Sequence, residues 1–141
     1  PYNINKENVI FSDRKSPYTS AHYENGFTSA ISSIRRNETS PFTFHKTLNY
    51  GDNILEKRAA INAGINEKIF LNTKGQICEG TVSNIFFVKE KKLYTPTLSC
   101  GLLPGILRAY ILETYDVKET ILYPEDLVTF DECFLTNSLM G

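Results

Sequence analysis

The sequence has 141 residues, the length of one domain, with 41% apolar and 22% charged residues, as is ordinary for a globular protein. Its net charge of −1 gives no electrostatic basis for binding nucleic acid or an anionic membrane surface. Apolar runs are too short to span a bilayer, and no signal peptide is visible. We therefore expect a cytoplasmic protein with neither nucleic-acid nor membrane partners.

The three cysteines give no indication of a metal or disulfide site. Cys78, Cys100 and Cys133 are far apart and form neither a Cys-x-x-Cys pair nor a His/Cys cluster at metal-ligand spacing. Buried, reduced thiols in a cytoplasmic protein are the expected state.

The order of predicted elements indicates an α+β fold. Residues 1–40 are predicted to be a linker or arm ending in a first strand at 27–34. A helix is predicted at 48–62, where apolar residues recur at helical spacing and Gly64 can cap the end. Strands are predicted at 68–72, 77–80, 83–89, 93–96, 116–122 and 132–136, with a helix from Gly105 and a short helix after Pro124. Mostly antiparallel strands interrupted by helices predict a barrel-like sheet flanked by helices.

The two ends of the sequence suggest a fragment of a longer protein. The sequence starts at Pro1 without Met, and it ends at Gly141, right after an apolar strand-like run and a turn at 138–141. We expect residues 1–40 to lead from a missing N-terminal domain, and residues 41–141 to form a domain truncated at its C-terminus.

A lysine and a tyrosine are the first candidates for chemistry. Lys46 is predicted to lie where a loop meets a helix, and the positive field of a helix start favours the neutral, nucleophilic amine. Tyr50, four residues later, would share a helical face with it. An amine and a phenol so placed could address one aldehyde-bearing ring. The alternative is a surface lysine beside a packed tyrosine.

Three further places are compatible with the same chemistry. Glu79 lies among strand-forming apolar residues and, if buried, needs a positive or proton-donating partner. Pro104 and Gly105 precede a helix whose free N–H groups could bind phosphate, and Asn137 and Ser138 follow the last strand. Each has a simpler explanation: an exposed hairpin acid, an ordinary helix start, and a plain turn. Together they provide what pyridoxal 5′-phosphate (PLP) requires from a protein.

The sequence also resembles a known family. Glu79-Gly80-Thr81-Val82-Ser83-Asn84-Ile85-Phe86, followed by Leu103-Pro104-Gly105-Ile106-Leu107-Arg108, resembles the signature of class IV aminotransferases, the fold-type IV PLP enzymes. Lys46-Thr47-Leu48-Asn49-Tyr50 resembles the segment that holds their Schiff-base lysine, and Thr136-Asn137-Ser138 resembles their last phosphate-contacting turn. The match covers residues 41–141, which is roughly the C-terminal cofactor-binding domain of these enzymes.

The resemblance implies roles for the residues around the cofactor ring. Lys46 would form the Schiff base with PLP and move the proton at the substrate α-carbon. Tyr50 would hydrogen-bond the ring hydroxyl oxygen, and Glu79 would keep the pyridine nitrogen protonated. Leu103 would pack against the ring.

At the phosphate end, the resemblance implies the backbone N–H groups of Ile106 and Leu107 together with Asn137 and Ser138. Asn84 would position the Glu79 loop rather than touch substrate. The family often has Thr where this sequence has Leu107, so a hydroxyl contact is missing here. The small N-terminal domain, which supplies a phosphate-binding arginine in the family, is also absent from this sequence.

Within the family, the segments around Lys46 and Asn137 resemble 4-amino-4-deoxychorismate lyase more than the branched-chain enzyme. This implies elimination of pyruvate to give 4-aminobenzoate, a folate precursor. A D-amino acid or branched-chain aminotransferase is the alternative, and a non-catalytic packing or dimerisation domain is the alternative of another class. The resemblance also implies a small amino-acid-like substrate and a homodimer of the full-length protein.

Overall fold

The computed structural model describes residues 11–13 and 15–141. Residues 1–10 and Arg14 of the predicted arm lie outside the described residues. The helices of the described part are α1 (Ser20–Asn25), α2 (Gly51–Asn62) and α3 (Ile106–Thr114), with 3₁₀ turns at Pro41–Phe44, Leu98–Cys100 and Pro124–Thr129. The strands are β1 (Ser29–Arg36), β2 (Glu67–Asn72), β3 (Ile77–Gly80), β4 (Asn84–Lys89), β5 (Lys92–Pro96), β6 (Val117–Thr120) and β7 (Glu132–Thr136).

The strands form two sheets, with the orders β1-β2-β3 and β6-β5-β4-β7. β1 pairs with β2 in parallel, as β5 does with β6, and the other three pairs are antiparallel. The predicted α+β class with mostly antiparallel strands is confirmed. The barrel-like description holds only loosely, because the sheets do not close into one barrel. β1 belongs to the segment predicted to be an arm, and it pairs with β2 of the predicted domain.

The core is built on both faces of the central strands. One cluster joins the two sheets and contains Ile69, Leu71, Ile77, Ile85, Phe87 and Leu122. A second cluster contains Phe70, Cys78, Cys100 and Leu102. Because successive side chains of a strand point to opposite faces, β2 places Phe70 in one cluster and its neighbours in the other. A strand buried on both faces gives a rigid position for the residues at its ends.

The start of α2 differs from the prediction. The helix begins at Gly51 rather than at residue 48, since Leu48 is fully exposed and has no core to pack against. Lys46 therefore lies in an irregular segment before the helix, and it does not share a helical turn with Tyr50. The expectation of a lysine at a helix start is wrong in this respect.

α1 was not predicted, because it has no buried residue and so no apolar periodicity. Its segment lies against the last turn of the described chain. The Tyr23 hydroxyl donates to the Met140 carbonyl oxygen at 2.6 Å, and Asn137 Nδ2 donates to Tyr18 Oη at 2.8 Å. These contacts hold the turn after β7 in place.

Candidate active site

Glu79 is a buried carboxyl near the end of β3, with 6% of its surface exposed. Its Oε1 accepts a hydrogen bond from Arg36 Nη2 at 2.8 Å, and its Oε2 accepts one from the Leu103 N–H at 3.0 Å. Burial raises the pKa of Glu79 from 4.5 to about 7, although Arg36 and the Leu103 N–H act in the opposite direction. The carboxyl group therefore changes protonation near neutral pH.

Arg36, at the end of β1, connects Glu79 to the first turn of α2. Its Nη1 donates to Asn53 Oδ1 at 3.0 Å, and its guanidinium lies 4.3 Å from the centroid of the Phe70 ring. Both contacts suit the planar, charged guanidinium of arginine. The Arg36 side chain is only 14% exposed. Arg36 is thereby held in one orientation toward Glu79.

Tyr50 reaches the same network through the Thr81 carbonyl oxygen. The Tyr50 hydroxyl donates to this oxygen at 2.8 Å, and Asn53 Nδ2 donates to it at 2.6 Å. Partial burial raises the pKa of the Tyr50 hydroxyl, and the nearby Glu79 carboxylate raises it further. A phenol and a carboxyl group thus belong to one network of contacts.

Lys46 is exposed and makes no hydrogen bond or ion pair with another described residue. It lies between the 3₁₀ turn Pro41–Phe44 and α2, four residues before Tyr50. No hydrogen bond joins it to the Glu79 network, so its predicted role depends on its free amine and on its position along the chain.

The start of α3 lies beside this network. Gly105 precedes the helix without a side-chain cap, so the first N–H groups, those of Ile106 and Leu107, are free. Asn84 Nδ2 donates to the Leu103 carbonyl oxygen at 2.9 Å. A Cβ atom added to Gly105 would lie 2.2 Å from Asn84 Oδ1, so a larger residue at this position would displace the Asn84 amide. Asn84 therefore fixes the segment between Glu79 and α3.

The side chain of Asn137 shapes the turn after β7. Its Nδ2 donates to the Val82 carbonyl oxygen at 3.1 Å and to Tyr18 Oη, and its Oδ1 accepts from the N–H groups of Leu139 and Met140. With all these partners, Asn137 has little capacity left for a ligand except through its backbone.

Thr136 and Ser138 flank Asn137. Ser138 is exposed. Thr136 is paired with Asn84 across β4 and β7, and its buried Oγ1 atom has no hydrogen-bond partner among the described residues. A buried hydroxyl without a partner costs free energy unless a ligand or water supplies one. It lies on the strand next to Asn84, which itself contacts the start of α3.

These residues fit PLP. Each Glu79 oxygen has one partner, and a carboxylate oxygen can accept another hydrogen bond, here from a ring nitrogen. The free N–H groups at the start of α3 suit a phosphate.

Neither a metal-binding cluster nor a membrane-spanning helix occurs within residues 11–13 and 15–141. Within them, no group of three or more His, Cys, Asp or Glu side chains could hold a metal ion. Helices in the same range are too short or too polar to cross a membrane.

Sequence reasoning missed Arg36 and Asn53. The strand predicted at 27–34 ends before Arg36, and the positive partner that a buried Glu79 needs was not identified. A second arginine directly after an alternating strand was the available signal. Asn53 gave no signal, because its role depends on the helix starting at Gly51.

A family model and similar proteins of known sequence all point to one family. A family model described as Amino-transferase class IV matches residues 1–141. Aminodeoxychorismate lyase of Bacillus subtilis (strain 168) is 36% identical in an alignment 115 residues long, which covers 78% of this chain and 39% of that protein. A probable branched-chain-amino-acid aminotransferase of Thermotoga maritima is 34% identical in an alignment 132 residues long, which covers 89% of this chain and 48% of that protein.

Solved structures of branched-chain aminotransferases have the same fold as this chain. The branched-chain amino acid aminotransferase of Escherichia coli superposes with a TM-score of 0.75 at 32% identity, covering 81% of this chain and 41% of that one. The PLP form of the Thermobaculum terrenum branched-chain aminotransferase superposes with a TM-score of 0.70 at 30% identity, covering 79% of this chain and 39% of that one. The chain spans about half the length, or less, of the proteins it matches.

Proposed function

This chain belongs to the class IV aminotransferase family, and from this we propose that it is the cofactor-binding part of a PLP-dependent 4-amino-4-deoxychorismate lyase. The reaction releases pyruvate and forms 4-aminobenzoate, a folate precursor. One observation carries the proposal: the buried Glu79 carboxyl, held between Arg36 and the Leu103 N–H near Tyr50. A carboxyl at such a position suits a protonated pyridine nitrogen as its further partner.

Bound PLP would supply an electron sink for the pair left when the substrate α-carbon loses its proton. Lys46 would hold the cofactor through its Nζ atom, and the same amine would move the proton at the substrate α-carbon. Glu79 would accept a hydrogen bond from the ring nitrogen and hold the proton there. Arg36 favours the ionised form of Glu79, which this role requires.

The role of Tyr50 is more restricted than the sequence suggested. Its hydroxyl has one proton, which it donates to the Thr81 carbonyl oxygen. It can therefore accept a hydrogen bond from the cofactor ring oxygen, or donate one only after giving up the contact with Thr81. Either way, Tyr50 would fix the orientation of the ring.

The phosphate would be held by the free N–H groups of Ile106 and Leu107, with Ser138 and the backbone of Asn137. Leu103 would lie against the ring, since its own N–H is bound to Glu79. Leu107 contributes no hydroxyl, so the backbone N–H groups and the Ser138 hydroxyl would supply the donors at this end.

A class IV aminotransferase is the second candidate. It is favoured by the Thermotoga maritima relative, whose match covers 89% of this chain. Both reactions begin with removal of the α-proton, so the residues above serve either one.

The proposal extends to the whole protein. Residues 41–141 would be the cofactor-binding domain, completed by further sequence, because the matched relatives are about twice as long. The full-length protein would be a cytoplasmic homodimer acting on an amino-acid-like small molecule.

Lys46→Ala in the full-length protein tests the assignment. We expect loss of the borohydride-sensitive visible absorbance and a fall in turnover of about 10²-fold or more. Lys92→Ala, an exposed lysine at the start of β5, is the matched control and should change neither. Undiminished turnover in Lys46→Ala would contradict the proposal.

The same preparation separates the candidate functions. Pyruvate released without a keto-acid acceptor indicates the lyase, whereas dependence on 2-oxoglutarate indicates the aminotransferase. No saturable binding of PLP to the full-length protein would instead favour a packing or dimerisation domain.

A further inference from the structure

Glu67 is a second buried acid, at the start of β2, with 0% of its surface exposed. Its Oε1 accepts from the N–H groups of Thr81 at 3.1 Å and Lys68 at 3.0 Å, and from the Thr81 hydroxyl. Its Oε2 lies 3.4 Å from Ser83 Oγ and 3.8 Å from Lys57 Nζ. Most of these donors belong to one short turn, so the carboxyl of Glu67 organises that turn.

This turn, residues 80–83, is pressed directly onto Glu67. A Cβ atom added to Gly80 would lie 3.1 Å from Glu67 Cγ and 2.3 Å from Ser83 Oγ. The Gly80 N–H donates to the Ser83 carbonyl oxygen at 2.7 Å, which closes the turn. Glu67 thus replaces the water that would otherwise satisfy the donors of the turn.

Carbonyl oxygens of the same turn point to the candidate site. The Thr81 oxygen receives hydrogen bonds from Tyr50 and Asn53, and the Val82 oxygen receives one from Asn137. Glu79 directly precedes the turn. Three side chains around the site, those of Tyr50, Asn53 and Asn137, therefore contact the turn that Glu67 holds.

We propose that Glu67 is a positioning residue: by fixing the 80–83 turn through Thr81, it sets the spacing between Tyr50 and Glu79. This inference rests on the proposed function, in which Tyr50 faces the ring oxygen and Glu79 the ring nitrogen of PLP. A bound aromatic ring contacts both at once, so a shift of the turn weakens one contact or the other. Glu67 itself touches neither the ring nor the substrate.

Glu67→Met in the full-length protein tests this inference, because methionine keeps most of the volume but accepts no comparable hydrogen bonds. The control is Glu56→Met on α2, which also removes a buried acid but one whose Oε2 has no partner among the described residues. Glu67→Gln is the conservative variant, since its amide oxygen can still accept from Thr81.

Two measurements are needed. The first is the dissociation constant of PLP, with the absorption maximum of the bound cofactor. We expect Glu67→Met to weaken binding about tenfold or more and to shift the maximum, with Glu67→Gln and Glu56→Met within about threefold of wild type. The second is the Tyr50 Oη to Thr81 O distance in crystals of the protein without PLP, which should lengthen in Glu67→Met alone.

Equal PLP affinity and spectra in Glu67→Met and Glu56→Met would overturn the inference, as would an unchanged Tyr50–Thr81 contact. If wild type fails to bind PLP, the proposed function falls, while the crystal measurement still decides whether Glu67 positions the turn. If Glu67→Met does not fold, Thr81→Val removes only the hydroxyl partner of Glu67. If Thr81→Val loses PLP affinity by less than tenfold but by more than Glu56→Met does, the inference is supported. No loss of PLP affinity in Thr81→Val refutes it.

Discussion

Glu79→Gln tests which of two opposing effects governs the carboxyl of the site. Burial raises the pKa of Glu79, whereas Arg36 Nη2 at 2.8 Å and the Leu103 N–H lower it. With a folded-state pKa of about 7 against 4.5 for an exposed glutamate, the folded protein binds this proton more tightly than the unfolded chain does. The resulting stabilisation is complete below about pH 4.5 and is lost as the pH rises through about 7.

The size of the effect follows from the two pKa values. The free energy of unfolding changes by about 1.4 kcal/mol for each pH unit between the two pKa values, 4.5 and about 7. Over this range, the wild type should become less stable than Glu79→Gln by about 3 kcal/mol, relative to their difference at low pH. Solvent screening reduces this little, because the Glu79 side chain is only 7% exposed. Glutamine keeps an oxygen acceptor for Arg36 but does not titrate, so it provides the flat reference.

The assay is urea unfolding of the PLP-free full-length protein from about pH 4 to about pH 8. Glu132→Gln, which changes an exposed glutamate on β7, serves as the control for a simple change of net charge. A stability difference between wild type and Glu79→Gln that does not vary with pH would refute the reasoning. A wild type that gains stability as the pH rises would show that the Arg36 ion pair outweighs burial.

Three further substitutions have expected outcomes of different sign. Gly105→Ala should lower the free energy of unfolding by about 2 kcal/mol, measured in urea, because its Cβ would displace Asn84 Oδ1. Thr136→Val should stabilise the PLP-free protein by about 1 kcal/mol, since it removes a buried hydroxyl that has no partner among the described residues. The melting temperature of the variant should therefore be higher than that of the wild type. Tyr50→Phe should cost about 1 kcal/mol in thermal unfolding, because Thr81 loses one hydrogen bond.

The sequence predicted most strands to within a few residues, because their apolar runs are also their buried runs. β2 and β4 are buried on both faces, and both were found. The division into two sheets and the parallel pairing of β1 with β2 were not foreseen, since pairing depends on contacts distant in sequence. The start of α2 was misplaced because Leu48 counted as apolar although it is exposed.

For the candidate site, the sequence predicted the proximity of Tyr50, Glu79 and the start of α3, but not what holds them. Arg36 and Glu67 act through long-range hydrogen bonds, and single-sequence patterns contain no information about such partners. The assignment of Lys46 still depends on the family motif, since no contact among the described residues supports it.

The contacts between the α1 segment and the last turn affect the order in which the protein assembles. Tyr18 and Asn137 are 119 residues apart, and Tyr23 and Met140 are 117 apart, so these hydrogen bonds close nearly the whole described chain into a ring. On the ribosome, the α1 segment emerges long before its partners do. The proposed phosphate end would therefore form only after residue 137 has emerged, and a nascent chain stopped before that residue would have the Glu79 network but no complete place for the cofactor.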